Sequence, residues 1–319
     1  MPATAEAADP AFRADVLNGL AEPIPAIPAR WLYDRRGSEL FDAITKLPTY
    51  YPTRTETVLM SSKMAEIAAA IGEVGSVVEF GAGSQTKTPL VLRAVHPRAF
   101  VPIDISGDYL RDSATIVDQE HDHIDVFPVV ADFTRPFDLP PQIDGLARLG
   151  FFPGSTIGNF VPRSATDLLR HFRAILGTGS KLLIGMDRIK PVERLIAAYD
   201  DPEGVTAAFN LNLLHRINRE LSADIPVDGF VHEARWNDML SRIEMHLVAT
   251  RDVEFAIDGR HFAFRKGETI HTENSHKYGP RGGRVLLLAG GWTPIGEWTD
   301  EARDFTVIVA EAQPNRFAP

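Results

Sequence analysis

With 319 residues, 44% apolar and 24% charged, the chain has the composition of a globular protein, long enough for one large domain or two smaller ones. A net charge of −10 argues against a nucleic-acid binder, which presents a basic face, and reads as simple solubility. The absence of cysteine excludes disulfides, thiolate catalysis and cysteine-ligated metal centres; with no leader-like start and no apolar run of membrane-spanning length, the expected location is the cytoplasm, away from membranes.

Residues 1–10 read as loose and 11–20 as a short helix ending near Gly19. Pro23, Pro25 and Pro28 then alternate, which forbids a helix and favours extended chain. Trp31, Leu32 and Tyr33 lead into Gly37 and a helix through Leu40, Phe41 and Ile44 that stops before Pro48. The segment L-P-T-Y-Y-P-T-R-T-E (47–56) is aromatic and proline-stiffened. It feeds a helix through Val58, Leu59, Met64 and Ile67, for which Thr53 or Thr55 is the expected cap. On residue type alone, such a tyrosine pair is more often core packing than chemistry.

From Ser76 the pattern alternates. Strands are predicted at 77–80, 100–105, 126–130, 150 onward and 181–187, with helices at 88–94, 109–117 and 165–176, the last capped by Gly177. This is the βαβ rhythm of a parallel sheet covered by helices on both faces. The rhythm breaks at one long helical stretch over 192–220. A strand at 242–249 follows, then a hairpin over 254–264 turning at Asp258-Gly259. V-L-L-L-A (285–289) and F-T-V-I-V-A (305–310) read as strands with G-W-T-P-I-G-E-W-T-D as the connection. The expected fold is therefore an α/β core over 57–191 and 284–319, interrupted by an α+β domain built from 10–56 and 192–283. Ligand clefts favour such interfaces and the carboxyl edge of the strands.

The strongest local signal is the strand–turn–helix S-V-V-E-F-G-A-G-S-Q-T-K-T (76–88). Gly81, Ala82 and Gly83 let a ligand approach the backbone at the positive end of a helix dipole. Thr86 stands where either a dinucleotide fingerprint or a phosphate loop requires glycine, which demotes both. Asp104 and Asp132 end the next two apolar runs. Each alone reads equally well as a cap or a solvated turn. Together with the glycine turn they fit S-adenosylmethionine, one carboxylate accepting from the ribose hydroxyls and the other from the adenine amino group. His121, Asp122 and His123, or His271, Glu273 and His276, lack the spacing of a metal site, and no metal is expected. No G-x-S-x-G elbow points to a hydrolase.

Longer motifs are more specific. W-L-Y-D-R-R-G-S-E-L-F-D (31–42), 47–56, G-S-T-I-G-N (154–159), A-Y-D-D-P-E-G-V-T-A-A-F-N (198–210), N-R-E-L-S-A-D (218–224), R-I-E-M-H-L (242–247) and T-E-N-S-H-K-Y (272–278) occur in order. On these the chain resembles the histidine Nα-methyltransferase family of ergothioneine biosynthesis over roughly residues 10–280. The resemblance implies a Rossmann-like S-adenosylmethionine-dependent methyltransferase core with an inserted substrate domain, acting as a monomer. It implies trimethylation of the α-amino group of L-histidine to hercynine, with S-adenosylhomocysteine as the spent donor. Carried over by motif, Tyr33, Tyr51 and Asn159 would lie at the reacting amine. Tyr51, Asn159, Tyr199, Met245, Glu273 and Ser275 would hold the substrate. Gly81, Ala82, Gly83, Lys87, Asp104, Asp132 and Phe133 would hold the cofactor. Gln85, Thr86 and His276 depart from the pattern expected of the family.

Three alternatives compete. A relative methylating another amine, such as tryptophan, is disfavoured by Glu273 and Met245, because an indole gives that carboxylate a poorer partner. A non-catalytic cofactor-binding module would have no use for the tyrosines and Asn159. A nicotinamide oxidoreductase lacks its third glycine.

Overall fold

A computed structural model describes residues 9–83 and 86–314; Ser84, Gln85 and residues 1–8 of the start expected to be loose over 1–10 lie outside the described residues, while Asp9 caps the first helix and Pro10 begins it. In chain order the elements are α1 (Pro10–Gly19), α2 (Arg35–Lys46), α3 (Tyr51–Ile71), β1 (Ser76–Phe80), α4 (Thr88–Val95), β2 (Ala99–Asp104), α5 (Gly107–Glu120), β3 (Asp125–Val126), β4 (Val129–Val130), β5 (Arg148–Phe152), α6 (Pro162–Leu176) and β6 (Lys181–Asp187). There follow α7 (Val192–Tyr199), α8 (Val205–Glu220), β7 (Phe230–Asn237), β8 (Arg242–Ala249), β9 (Val253–Ile257), β10 (Arg260–Phe264), β11 (Thr269–His276), α9 (Gly282–Ala289), β12 (Trp292–Thr299) and β13 (Phe305–Ala312). Among the described residues no helix is long and apolar enough to cross a membrane. The chain divides into two units: residues up to Tyr50 with Pro191–Asn274, and Tyr51–Lys190 with residues from Ser275 onward.

The second unit holds an eight-stranded sheet in the order β12-β13-β6-β5-β1-β2-β3, with β4 also on β2. β1 pairs in parallel with both β2 and β5, and β5 with β6. β13 runs antiparallel to β6 and to β12. The central strands are buried on both faces, which is why they read as unbroken apolar runs. Their period of two sends alternate side chains to opposite layers. Val78, Phe80, Phe152 and Ile184 pack with Phe172 of α6 and with Trp292. Val77, Phe151 and Leu183 pack with Leu59 and Met60 of α3 and with Val91 of α4. The chain leaves β1 for β2 on one side, and β5 pairs on the other, so the strand order reverses at β1. Ligands of open α/β sheets bind at such a reversal, and here it ends in Gly81.

Several expectations are corrected. Residues 285–289 form α9, not a strand: the run is mostly leucine rather than β-branched and sits between Gly282-Gly283 and Gly290. The supposed connection after it is β12, whose Pro294 is tolerated because β12 is an edge strand with an irregular register at Pro294 and Gly296. The 126–130 strand is two short pieces, β3 and β4. Thr53 and Thr55 do not cap α3, which already begins at Tyr51.

In the first unit, β11, β8 and β7 form a three-stranded sheet and β9 and β10 a hairpin. Its turn has Asp258 and Gly259 at φ 49° and 75°, the left-handed pair a two-residue hairpin needs. The long helix predicted over 192–220 is two. Asp201 accepts hydrogen bonds from Val205 and Thr206 N–H at 2.9 and 2.7 Å, capping α8. Pro202 disfavours helical backbone just before it. Asp34 caps α2 through Gly37 N–H at 2.7 Å and accepts from Asn212 of α8 at 2.8 Å.

Candidate active site

In the second unit the turn after β1 is shaped by Gly81, at φ 78°. A Cβ on Gly81 would lie 3.6 Å from the Phe133 ring, and one on Gly83 would lie 3.8 Å from Asp104 Oδ2. The turn thus passes an aromatic ring and a carboxylate at van der Waals distance. Asp104 Oδ1 accepts from Ser106 N–H at 2.8 Å. Burial pushes its carboxyl up to about 6, against hydrogen bonds from Ser106 and Ile105 that favour the charge. Glu79, also buried, is pushed up to about 8 by desolvation and accepts from Thr88 Oγ1 at 2.8 Å. It is therefore protonated at neutral pH.

A half-buried carboxylate beside glycine backbone suits a vicinal diol, so Gly81, Gly83 and Asp104 fit the ribose of S-adenosylmethionine. Ala82 is buried in the same turn. Phe133 packs edge-on against Phe80, Phe152 and Phe172, and so forms a fixed wall beside Gly81. Asp132 is placed differently. Its Oδ1 accepts from Thr134 N–H and hydroxyl at 3.0 and 2.5 Å, which makes it a turn-closing residue of its own loop. Lys87 is buried and its ammonium is bonded to Glu56, itself fully buried. Glu56 also accepts from Gly154 N–H at 2.9 Å. A Cβ on Gly185 would come within 2.0 Å of Glu56 Oε1, so glycine there makes the space for this buried pair.

At the carboxyl end of β6 lies a second buried ionic group. Tyr51 hydroxyl donates to Asp187 Oδ2 at 2.6 Å and accepts from Lys190 Nζ at 2.8 Å. Lys190 also bonds Asp187 Oδ1. Lys277 pairs with Asp187 Oδ2 at 2.8 Å and donates to Ser275 Oγ at 2.7 Å. Asp187 N–H donates to Ser155 Oγ at 2.8 Å. Asn159, half-buried, ends the 3-10 turn Thr156–Asn159. Gly158 there approaches the His276 backbone so closely that a Cβ would lie 2.8 Å from its carbonyl oxygen, and His276 Nδ1 lies 2.8 Å from Gly158 O.

The first unit gathers the remaining candidates. Tyr33 makes edge contacts with Phe41 and Phe209 at 5.5 and 5.4 Å. Tyr199 contacts Tyr50, and Tyr50 contacts Phe41, which extends the same aromatic cluster. Tyr199 is anchored from behind. Asn210 donates to His232 Nδ1 at 2.9 Å, so Nε2 carries the proton and donates to Tyr199 O at 2.8 Å. Burial lowers the pKa of His232, which keeps it neutral. Met245 and Glu273 are buried on β8 and β11. Between those strands Thr272 hydroxyl reaches Met245 O at 3.1 Å. His271 bonds Glu273 O at 3.0 Å and stacks on His246. Glu244, His246 and His271 have potential ligand atoms within 4.8 Å of one another. Burial would raise the Glu244 carboxyl, but Arg242, Asn237 and His246 outweigh it and hold it at about 2, so that carboxylate is already engaged.

Sequence reasoning did not single out Glu56, Asp187, Lys190 or Lys277, and took Glu79 only as part of a motif. The available signal was a charged residue inside or at the end of an apolar strand, as in L-L-I-G-M-D and V-V-E-F.

The strand order, with its reversal at a glycine turn beside the half-buried Asp104, defines a Rossmann-like methyltransferase core. A family model described as histidine-specific methyltransferase, SAM-dependent, matches residues 12–312, and the chain belongs to that family. It is 40% identical over 311 residues to a histidine N-alpha-methyltransferase of Mycobacterium tuberculosis, covering 94% of each chain. It is 40% identical over 312 residues to the protein of the same name from Mycolicibacterium smegmatis, covering 96% of each. Ergothioneine biosynthesis protein 1 of Neurospora crassa is 28% identical over 86% of this chain and 32% of its own.

Proposed function

We propose that the protein methylates the α-amino group of L-histidine, three times in succession, to give hercynine, the first step of ergothioneine formation. The observation that carries this is the match of residues 12–312 to a histidine-specific family. The mycobacterial relatives, named for the same activity and aligned nearly end to end, support it. The donor proposed is S-adenosylmethionine and the product of each turn S-adenosylhomocysteine. The enzyme is read as a cytoplasmic monomer with a small-molecule substrate.

When bound, the donor supplies a methyl carbon already activated by its sulfonium. The chain's task is then alignment and electrostatics. Asp104 carboxylate would accept the donor's ribose hydroxyls at the Gly81–Gly83 turn, and Phe133, beside Gly81, would form a wall of the donor site. Asn159, with both an amide donor and a carbonyl acceptor, orients the substrate's amine and carboxylate, with Tyr199 on the same head group. Glu273 accepts from an imidazole N–H, Ser275 bonds the ring, and Met245 packs beside it. An apolar isostere offers Glu273 no such N–H and forgoes that hydrogen bond, which disfavours it. Tyr33, held edge-on to Phe41, would lie at the amine and tolerate the growing quaternary cation by cation–π attraction.

The test is incubation with S-adenosylmethionine and each of the 20 amino acids, read by mass. A gain of three methyls on histidine is expected. A methylated product from another amine with none from histidine overturns the reading.

A further inference from the structure

Tyr51 hydroxyl, Asp187, Lys190, Lys277 and Ser275 form one connected group in the second unit, and each is nine-tenths or more buried. We propose that Asp187, Lys190 and Lys277 are positioning residues that fix Tyr51 as a hydrogen-bond acceptor toward the histidine substrate and tie Ser275 to the same carboxylate. The inference rests on the proposed function, because it names how that site reads an N–H of its substrate.

The donor and acceptor count leads to it. A phenol has one proton, and here that proton goes to Asp187 Oδ2 at 2.6 Å. Lys190 Nζ donates to the phenol oxygen at 2.8 Å and also sits 4.2 Å from the ring centre, over its face. The torsion of the hydroxyl is therefore held from two sides by charged partners, whose hydrogen bonds are the strong ones. With its proton committed, Tyr51 meets any further group as an acceptor, the polarity an imidazole N–H or an ammonium requires.

Asp187 can hold that proton only as a carboxylate. Burial alone would raise its pKa, but Lys277 and Lys190 outweigh burial and hold it below the usual range. Burial draws the Lys190 amine down to about 8, which leaves it mostly an ammonium at neutral pH. Lys277 completes the arrangement, since its ammonium bonds both Asp187 Oδ2 and Ser275 Oγ. Tyr51 and Ser275, 224 positions apart in sequence, are thus both one hydrogen bond from a group on Asp187. A carboxylate with one lysine would carry the charge equally well. Two lysines, each bonded to a different predicted substrate residue, point to orientation as well as charge balance.

The experiment is a double-mutant cycle on the full chain by calorimetry, with histidine titrated into protein saturated with S-adenosylhomocysteine. Y51F, K190M and K277M are each expected to raise the histidine dissociation constant about tenfold or more. The dissociation constant for S-adenosylhomocysteine should stay within about twofold of wild type, and Y51F/K190M should be no more than about threefold worse than Y51F alone. Independent effects multiplying to about a hundredfold would overturn the proposal, as would a folded K190M and K277M that bind histidine like wild type. If K190M alone loses its cooperative melt, K277M with Y51F carries the same test from the other side of Asp187. Loss of the melt in both makes the group a scaffold element and also overturns it. Wild-type protein that neither binds nor methylates histidine refutes the proposed function instead.

Discussion

Donor binding should weaken as pH falls through 6, and Asp104 should be the cause. Its carboxylate accepts hydroxyls only when ionised, yet burial raises its pKa to about 6. By simple titration about nine-tenths of the resting protein is competent at pH 7 and about one-tenth at pH 5. The dissociation constant for S-adenosylhomocysteine should therefore rise about tenfold between those values, the affinity being present above pH 6 and lost below it. Asp104→Asn keeps an oxygen for Ser106 N–H but removes the charge. It should cost about 1.5–3 kcal/mol of affinity at pH 7 and abolish the pH dependence. The fold responds oppositely. The folded pKa lies above the ordinary aspartate value of 3.8, so the group's contribution to stability is full below 3.8 and lost as pH rises through 6. Asp104→Asn should therefore melt no lower than wild type at pH 7 and gain up to about 3 kcal/mol, which separates lost binding from lost structure. Calorimetry at pH 5, 6 and 7 with parallel urea denaturation decides it. A wild-type constant that is flat across that range, or a variant that retains the pH dependence, refutes the reasoning.

Glu79, raised from 4.5 to about 8, gives stability that is present below 4.5 and lost as pH rises through 8. Urea denaturation should show wild type losing about 3 kcal/mol relative to Glu79→Gln between pH 6 and pH 9; parallel curves would contradict the buried proton. Gly185→Ala forces a methyl against Glu56, and should lower stability by about 1–3 kcal/mol or more in the same assay. An unchanged midpoint would mean that the Glu56–Lys87 pair moves aside at no cost. Glu273→Ala should weaken histidine more than S-adenosylhomocysteine in calorimetry, by about tenfold or more. Equal loss of both ligands would remove Glu273 from the substrate role.

Much of the core was legible because its elements obey local rules. V-V-E-F followed by glycines and a proline-started helix announces a strand, a turn and a helix wherever it occurs. The Asp258-Gly259 hairpin is as local. The errors arose where burial, and not pattern, decides. V-L-L-L-A is too short for periodicity to tell helix from strand, and Trp292 to Thr299 looks like a loop because its Pro294 is acceptable only at an edge.

The site divides in the same way. Composition and motif alone set the class: an acidic, cysteine-free α/β chain with a glycine turn, Asp104 at the end of the second strand, and segments that resemble histidine methyltransferases. Tertiary structure supplied each charge with its partners. Lys87, expected at the cofactor, is bonded to Glu56, and Asp132, expected there too, accepts from Thr134 in its own turn. Tyr51, Asp187, Lys190 and Lys277 stand far apart in sequence, and only the meeting of α3, the end of β6 and the chain after β11 makes them one group. Propensity and spacing are properties of neighbours along the chain. Burial, which raises the Asp104 carboxyl and demands partners for Asp187 and Glu56, belongs to the packed structure.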